Sequence, residues 1–187
     1  MTTSTKGGLL KGLGRMVSGD SMFMNTYTAL KDGAKITFAT TVPGEIIPIK
    51  LSSNHPGIIA QKGAFLFAED SVKLDIALTK RFSSGLFGGE GFVLQDIHGE
   101  GNVFLEADGN ICKKELKDGE TILVDTGNIV CFDKTCAYSV ETVKGVKNVL
   151  FGGEGLFLTT VEGPGTVYLQ SMPISKLQSL LYVPPKG

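Results

Sequence analysis

The carboxylates of Glu90 and Glu154 sit in the same kind of glycine turn, Gly88-Gly89-Glu90-Gly91 and Gly152-Gly153-Glu154-Gly155. A glycine-rich turn can cradle a phosphate, and an acid within it can bind a cation, so chemistry is sought here first. Neither use fits. The turns lack the Lys-Ser/Thr of a phosphate-binding P-loop and lead into strand-like sequence rather than a helix. Each offers one carboxylate where calcium takes several oxygens. Gly12-Leu13-Gly14, for its part, lacks the third glycine and the preceding strand of a dinucleotide fingerprint. The remaining reading is structural: glycines supply positive φ for a tight bend, and the carboxylate accepts hydrogen bonds from the amides that the bend exposes.

Basic residues precede the turn each time. Lys80 and Arg81 stand before Glu90, Lys144 and Lys147 before Glu154, and Lys11 and Arg15 before Asp20 in a worn copy of the motif. If the copies are related by rotation, these loops gather at one end of the body as a positive face. Such a face could hold anionic membrane headgroups, RNA phosphates or an acidic protein partner, and otherwise serves as a solvated rim. No aromatics interleave with the bases and the chain has no tryptophan, which argues against nucleic acid.

The remaining reactive side chains are few. Three cysteines are an odd number and make no disulfide framework. Stepping back 64 residues puts Cys131 on Phe67 and Cys136 on Val72, so both read as small buried hydrophobes rather than nucleophiles. His55 and His98 are far apart in sequence, each beside a glycine turn, and read as solvated loop residues. They offer neither the paired histidines of a cupin-type metal site nor a triad partner for a serine on a Gly-x-Ser-x-Gly elbow. The expectation is a non-enzymatic protein with no catalytic residues, no cofactor and no metal.

The elements that carry these turns are repeated. Phe87 to Leu94 returns as Phe151 to Leu158, an offset of 64 (151 minus 87) that also pairs Gly63 with Gly127, Lys80 with Lys144, Val103 with Val167 and Leu105 with Leu169. A fixed period means one supersecondary unit used several times. The expected organisation is a single β domain. It comprises a partial repeat at 1–44, repeats at 45–108 and 109–172, and a helical tail at 173–187. Val72, Leu74, Ile76 and Leu78 alternate with polar or small residues, as do Ile47, Ile49 and Leu51, which is the period of a strand with one buried face. Further short apolar runs lie at 58–60, 65–68, 92–97, 103–107, 121–124, 128–132, 136–140, 156–161 and 166–170, punctuated by turns such as Asp32-Gly33, Asp108-Gly109 and Asp118-Gly119. Many short strands with glycine turns predict an all-β sandwich or barrel, and no interval holds a crossover helix. Helical spacing occurs only at the ends, in Leu9, Leu10, Leu13 and Met16, and in Ile174, Leu177, Leu180 and Leu181 behind Pro173. Such short helices would cover a barrel end or a neighbouring subunit; as a membrane-surface helix the second would have only Lys176 on its polar side.

Composition agrees. With 42% hydrophobic and 20% charged residues, the 187-residue chain is globular, and a net charge of −1 gives no overall pull toward nucleic acid. No apolar run approaches the roughly 18 residues of a membrane span, and the first residues have no signal-peptide core, so the cytoplasm is the expected location.

Several blocks together resemble one family. They are Gly85 to Phe92, its echo Leu150 to Leu156, Gln61-Lys62-Gly63-Ala64-Phe65-Leu66, Val124-Asp125-Thr126-Gly127-Asn128 and Gln170-Ser171-Met172-Pro173-Ile174. From about Gly7 onward the chain is similar to the altered-inheritance-of-mitochondria protein 24 family. The resemblance implies a double-stranded β-helix related to the tryptophan-RNA-binding attenuation protein, homotrimers among bacterial members, and no catalytic residues to carry over. Fungal relatives act at the mitochondrial inner membrane in cristae organisation. The family carries a further strand segment ahead of Gly7-Gly8-Leu9-Leu10, so the first repeat is expected to lack its leading half and bare an edge. The expected role is a self-assembling scaffold or interaction protein, a homotrimer with a protein partner or an anionic membrane surface. The alternative is a binding module for an anionic ligand, RNA or a lipid headgroup, on the basic loops.

Overall fold

In the computed structural model, residues 2–4, 24–80, 92–142 and 157–181 are described. The chain divides into two compact units, Met1–Ala39 and Thr40–Gly187. In the first, β1 (Thr2–Ser4) pairs antiparallel with β2 (Met24–Thr26), Thr2 opposite Thr26, and Tyr27 meets Phe38 edge-on at 6.0 Å. Asp32-Gly33 forms the turn its sequence predicts, with Gly33 at φ +72°.

The second unit is all-β. Its strands are β3 (Gly44–Leu51), β4 (Ile58–Gln61), β5 (Phe65–Ala68), β6 (Val72–Lys80), β7 (Phe92–Gly99), β8 (Gly101–Asp108), β9 (Ile111–Leu116), β10 (Thr121–Asp125), β11 (Ile129–Asp133), β12 (Ala137–Thr142), β13 (Phe157–Glu162) and β14 (Gly165–Gln170). A single helix among the described residues, α1 (Ile174–Leu181), follows Pro173. Every strand pair is antiparallel, as the absence of crossover helices requires.

Pairings recur 64 residues apart. Ile58 faces Ile97 and Gln61 faces Leu94; likewise Ile122 faces Val161 and Asp125 faces Leu158. Phe65 faces Leu105 and Phe67 faces Phe104, with a register slip between them, and Ile129/Leu169 and Cys131/Tyr168 repeat both the pairs and the slip. Short 3₁₀ turns at Lys62–Ala64 and Thr126–Asn128 occupy matching places. The offset is not unbroken, however. Gly101 faces Leu51, whereas Gly165 faces Leu116, so β3 maps onto β9 with an offset of 65 (116 minus 51) because the loop after β9 is one residue shorter.

The strands form two three-stranded sheets, β3-β8-β5 and β10-β13-β12, and one six-stranded sheet, β6-β7-β4-β11-β14-β9. The six-stranded sheet is the middle layer. On one face Ile58, Ala60, Val72, Ile97 and Cys131 pack with Ile47, Leu51, Val103 and Leu105; on the other, Ile59, Leu94, Phe132 and Val167 pack with Val140 and Val161. Central β4 and β11 are therefore apolar on both faces, and their continuous runs follow from that. At the core of the middle sheet β4 of the first half pairs with β11 of the second, Ile59 opposite Phe132 and Ala60 opposite Cys131.

Two local readings change. The alternation of β6 ends at Ile76, which is exposed, because a bulge between Ile76 and Leu78 shifts the register against β7 at the sheet edge. The polar stretch Cys112-Lys113-Lys114-Glu115, which carries no alternation, is an edge strand whose buried end is Leu116.

Candidate functional site

Most of the sequence-predicted site lies outside the described residues: Lys11, Arg15, Arg81, Lys144, Lys147 and both glycine turns, 88–91 and 152–155. Lys80 is the last residue of β6, opposite Phe92. The matching hairpin of the second half closes with Thr142 opposite Phe157, so the two loops that carry the bases spring from equivalent hairpin ends.

The histidines differ from expectation. His98 lies on β7 opposite Lys73, not in a turn, because the glycine turn begins only at Gly99. Its Nδ1 is 3.4 Å from Asp96 Oδ1 and its Nε2 3.9 Å from Asp75 Oδ2. Asp96 also receives Lys134 Nζ at 2.5 Å, from the turn after β11. His55 precedes β4 in a loop, but is half-buried: its Nδ1 accepts from the Gly57 amide at 3.2 Å and its Nε2 is 3.6 Å from Asp133 Oδ1. These groups line the seam where β4 meets β11. The Lys134–Asp96 ion pair and the His55–Asp133 contact join the two halves; among the described residues no set of three His, Cys, Asp or Glu side chains could hold a metal ion. Only the offset itself could have signalled this seam from sequence.

Acids elsewhere fasten strands. Glu69 accepts from the Asn102 side chain at 2.8 Å and from its amide at 3.0 Å, and the Asn102 side-chain bond, with the amide bond next, holds this carboxyl below the usual carboxylate range. Asp133, 64 residues on, accepts from the amide of Thr166 at 2.7 Å. Gln170 is buried, accepting from the Asp108 amide and donating to the carbonyl of Gly127. On α1, Lys176 binds Asp125 at 2.9 Å and Asn128 at 2.6 Å, so the cation of its polar side is turned to the protein rather than left for a headgroup.

Cys131 and Cys136 are buried, and burial pushes both thiols up, whereas Cys112 is exposed. A thiol reagent is expected to modify one cysteine per folded chain and all three after denaturation. Fast reaction of a second thiol would contradict the packing. Because folding raises these thiol pKa values, their contribution is complete below the unfolded value near 9.0 and is lost as pH climbs above it. Stability should decline through that alkaline range, and less so in Cys136→Val, whose counterpart in the first half is the buried Val72.

A middle sheet built from both halves, covered by a three-stranded sheet on each face, defines an all-β protein of sandwich type. The chain belongs to the mitochondrial biogenesis AIM24 family, whose model matches residues 1–172. It is similar to an uncharacterised protein of Streptococcus pyogenes serotype M6, with 30% identity over 182 residues, covering 95% of this chain and 71% of the relative. It also resembles the crystal structure of a Streptococcus pyogenes protein, with a TM-score of 0.68 and 26% identity, covering 96% of this chain and 80% of that one. No described helix is long and apolar enough to cross a membrane.

Proposed function

We propose that this chain is a non-enzymatic, self-assembling β-scaffold, a homotrimer of the cytoplasm that presents its loops to a partner. The observation that carries the reading is the contrast between polar and apolar groups. Asp96, Glu69, Asp133, Gln170 and Lys176 hold the fold together, while Leu123 stays 64% exposed on a strand that ends its sheet among the described residues. An exposed apolar side chain on a strand that ends its sheet supports reading that edge as an interaction surface. Native mass spectrometry of the full chain is expected to give three times the 19.8 kDa chain mass. A single-chain mass would remove the assembly reading.

A second reading, an anionic-ligand face, draws on the equivalent hairpin ends at Lys80/Phe92 and Thr142/Phe157, which give the two basic loops matching origins. Reversing Lys144 and Lys147 to glutamate is expected to leave assembly intact and to weaken binding to anionic vesicles several-fold at low salt. Unchanged vesicle binding would set this face aside.

A further inference from the structure

The seam between the two halves shows how two sheet edges of this chain recognise each other. β4 and β11 pair in the middle of the six-stranded sheet, with Ile58 opposite Asp133, Ile59 opposite Phe132 and Ala60 opposite Cys131. By the 64-residue correspondence, β10 is the counterpart of β4, and β5 is the counterpart of β11. In the second half the β4-type strand is β10, and among the described residues it ends its sheet. In the first half the β11-type strand is β5, which likewise ends its sheet. The burial difference follows this topology: Ile59 is 5% exposed in the seam, and its counterpart Leu123 is 64% exposed. Ile122 and Val124 are half-buried where Ile58 and Ala60 are fully buried.

We propose that β10 of one chain pairs antiparallel with β5 of a second copy, repeating the internal seam between subunits. The inference rests on the self-assembly reading and names its interface. Carrying the seam register across places Ile122 opposite Glu69, Leu123 opposite Ala68 and Val124 opposite Phe67 of the neighbouring copy. The occupant is a second copy because this chain already contains both halves of the match, and its own fold pairs the counterpart strands β4 and β11. A contact of unlike edges is heterologous: with a closing rotation it forms a ring, as a trimer requires, and without one an open filament, so it does not stop at a two-fold dimer.

Two variants of the full chain test it. Leu123→Lys is expected to raise the dissociation constant of the assembly on the order of 100-fold, since an unpaired ammonium would be buried in the seam. Its circular dichroism should stay near the parent's, because the side chain is exposed in the single chain. In a Cys112→Ser background, the pair Ala68→Cys with Leu123→Cys is expected to form a disulfide between chains under mild oxidation, since directly opposed strand residues are within bridging distance. Leu123→Cys alone should give none. If the parent assembles but Leu123→Lys assembles equally well and the cysteine pair stays unlinked, this interface is overturned while self-assembly stands. If the parent is a single chain, both fall; an introduced thiol at position 123 that is shielded in that single chain would show that another segment of the same chain covers the edge.

Discussion

Phe132→Ala is expected to destabilise the protein by about 3–5 kcal/mol, lowering the urea midpoint by more than about 1 M. Phe132 is fully buried on β11, in the strand that joins the two halves, and packs against Tyr138 with ring centroids 5.1 Å apart. The middle sheet is covered on both faces, so little backbone can collapse into the vacated space. Its counterpart in the first half is Ala68, on a strand that ends its sheet among the described residues. A cost below about 1 kcal/mol by equilibrium unfolding would mean that the seam does not bear on stability.

The second large effect falls on the β7–β8 turn. Gly99 has φ +110°, and a Cβ there would lie 2.7 Å from the backbone oxygen of Ser71. That oxygen belongs to the chain entering β6 and has no rotamer by which to withdraw. Gly99→Ala is therefore expected to cost about 2–4 kcal/mol, combining backbone strain and overpacking, and to lower Tm by about 5–15 °C. Gly119→Ala separates the two causes. Gly119 has φ +71°, and nothing lies within 4 Å of the place its new methyl group would take, so strain alone remains, about 1 kcal/mol. Equal losses in the two variants, by calorimetry, would contradict the steric account.

Much of the fold was legible because alternation and duplication are properties of the sequence. Ile47, Ile49 and Leu51 declare a one-sided strand, and the short apolar runs at 58–60 and 128–132 declare strands, whose burial on both faces only the structure reveals. β9 was not legible on its own. Its Lys113, Lys114 and Glu115 are an edge strand's solvated side chains, all three in ion pairs, and only the match of Leu116 to Leu51 reveals them as strand. His98 was misplaced because its neighbour Gly99 suggests a turn one residue too early. The polar seam of His55, Asp96, His98, Asp133 and Lys134 joins residues up to 78 apart in sequence (133 minus 55), and no local pattern encodes which strands of different copies become neighbours. The exposed Leu123 sits in a run, Thr121 to Val124, that reads like any buried strand; its environment is fixed by which edge of the sheet is left over.

Multi-angle light scattering of the full chain at micromolar concentration addresses the self-assembling scaffold most directly. The account predicts one species at three times 19.8 kDa, persisting on dilution; a species at 19.8 kDa would contradict it.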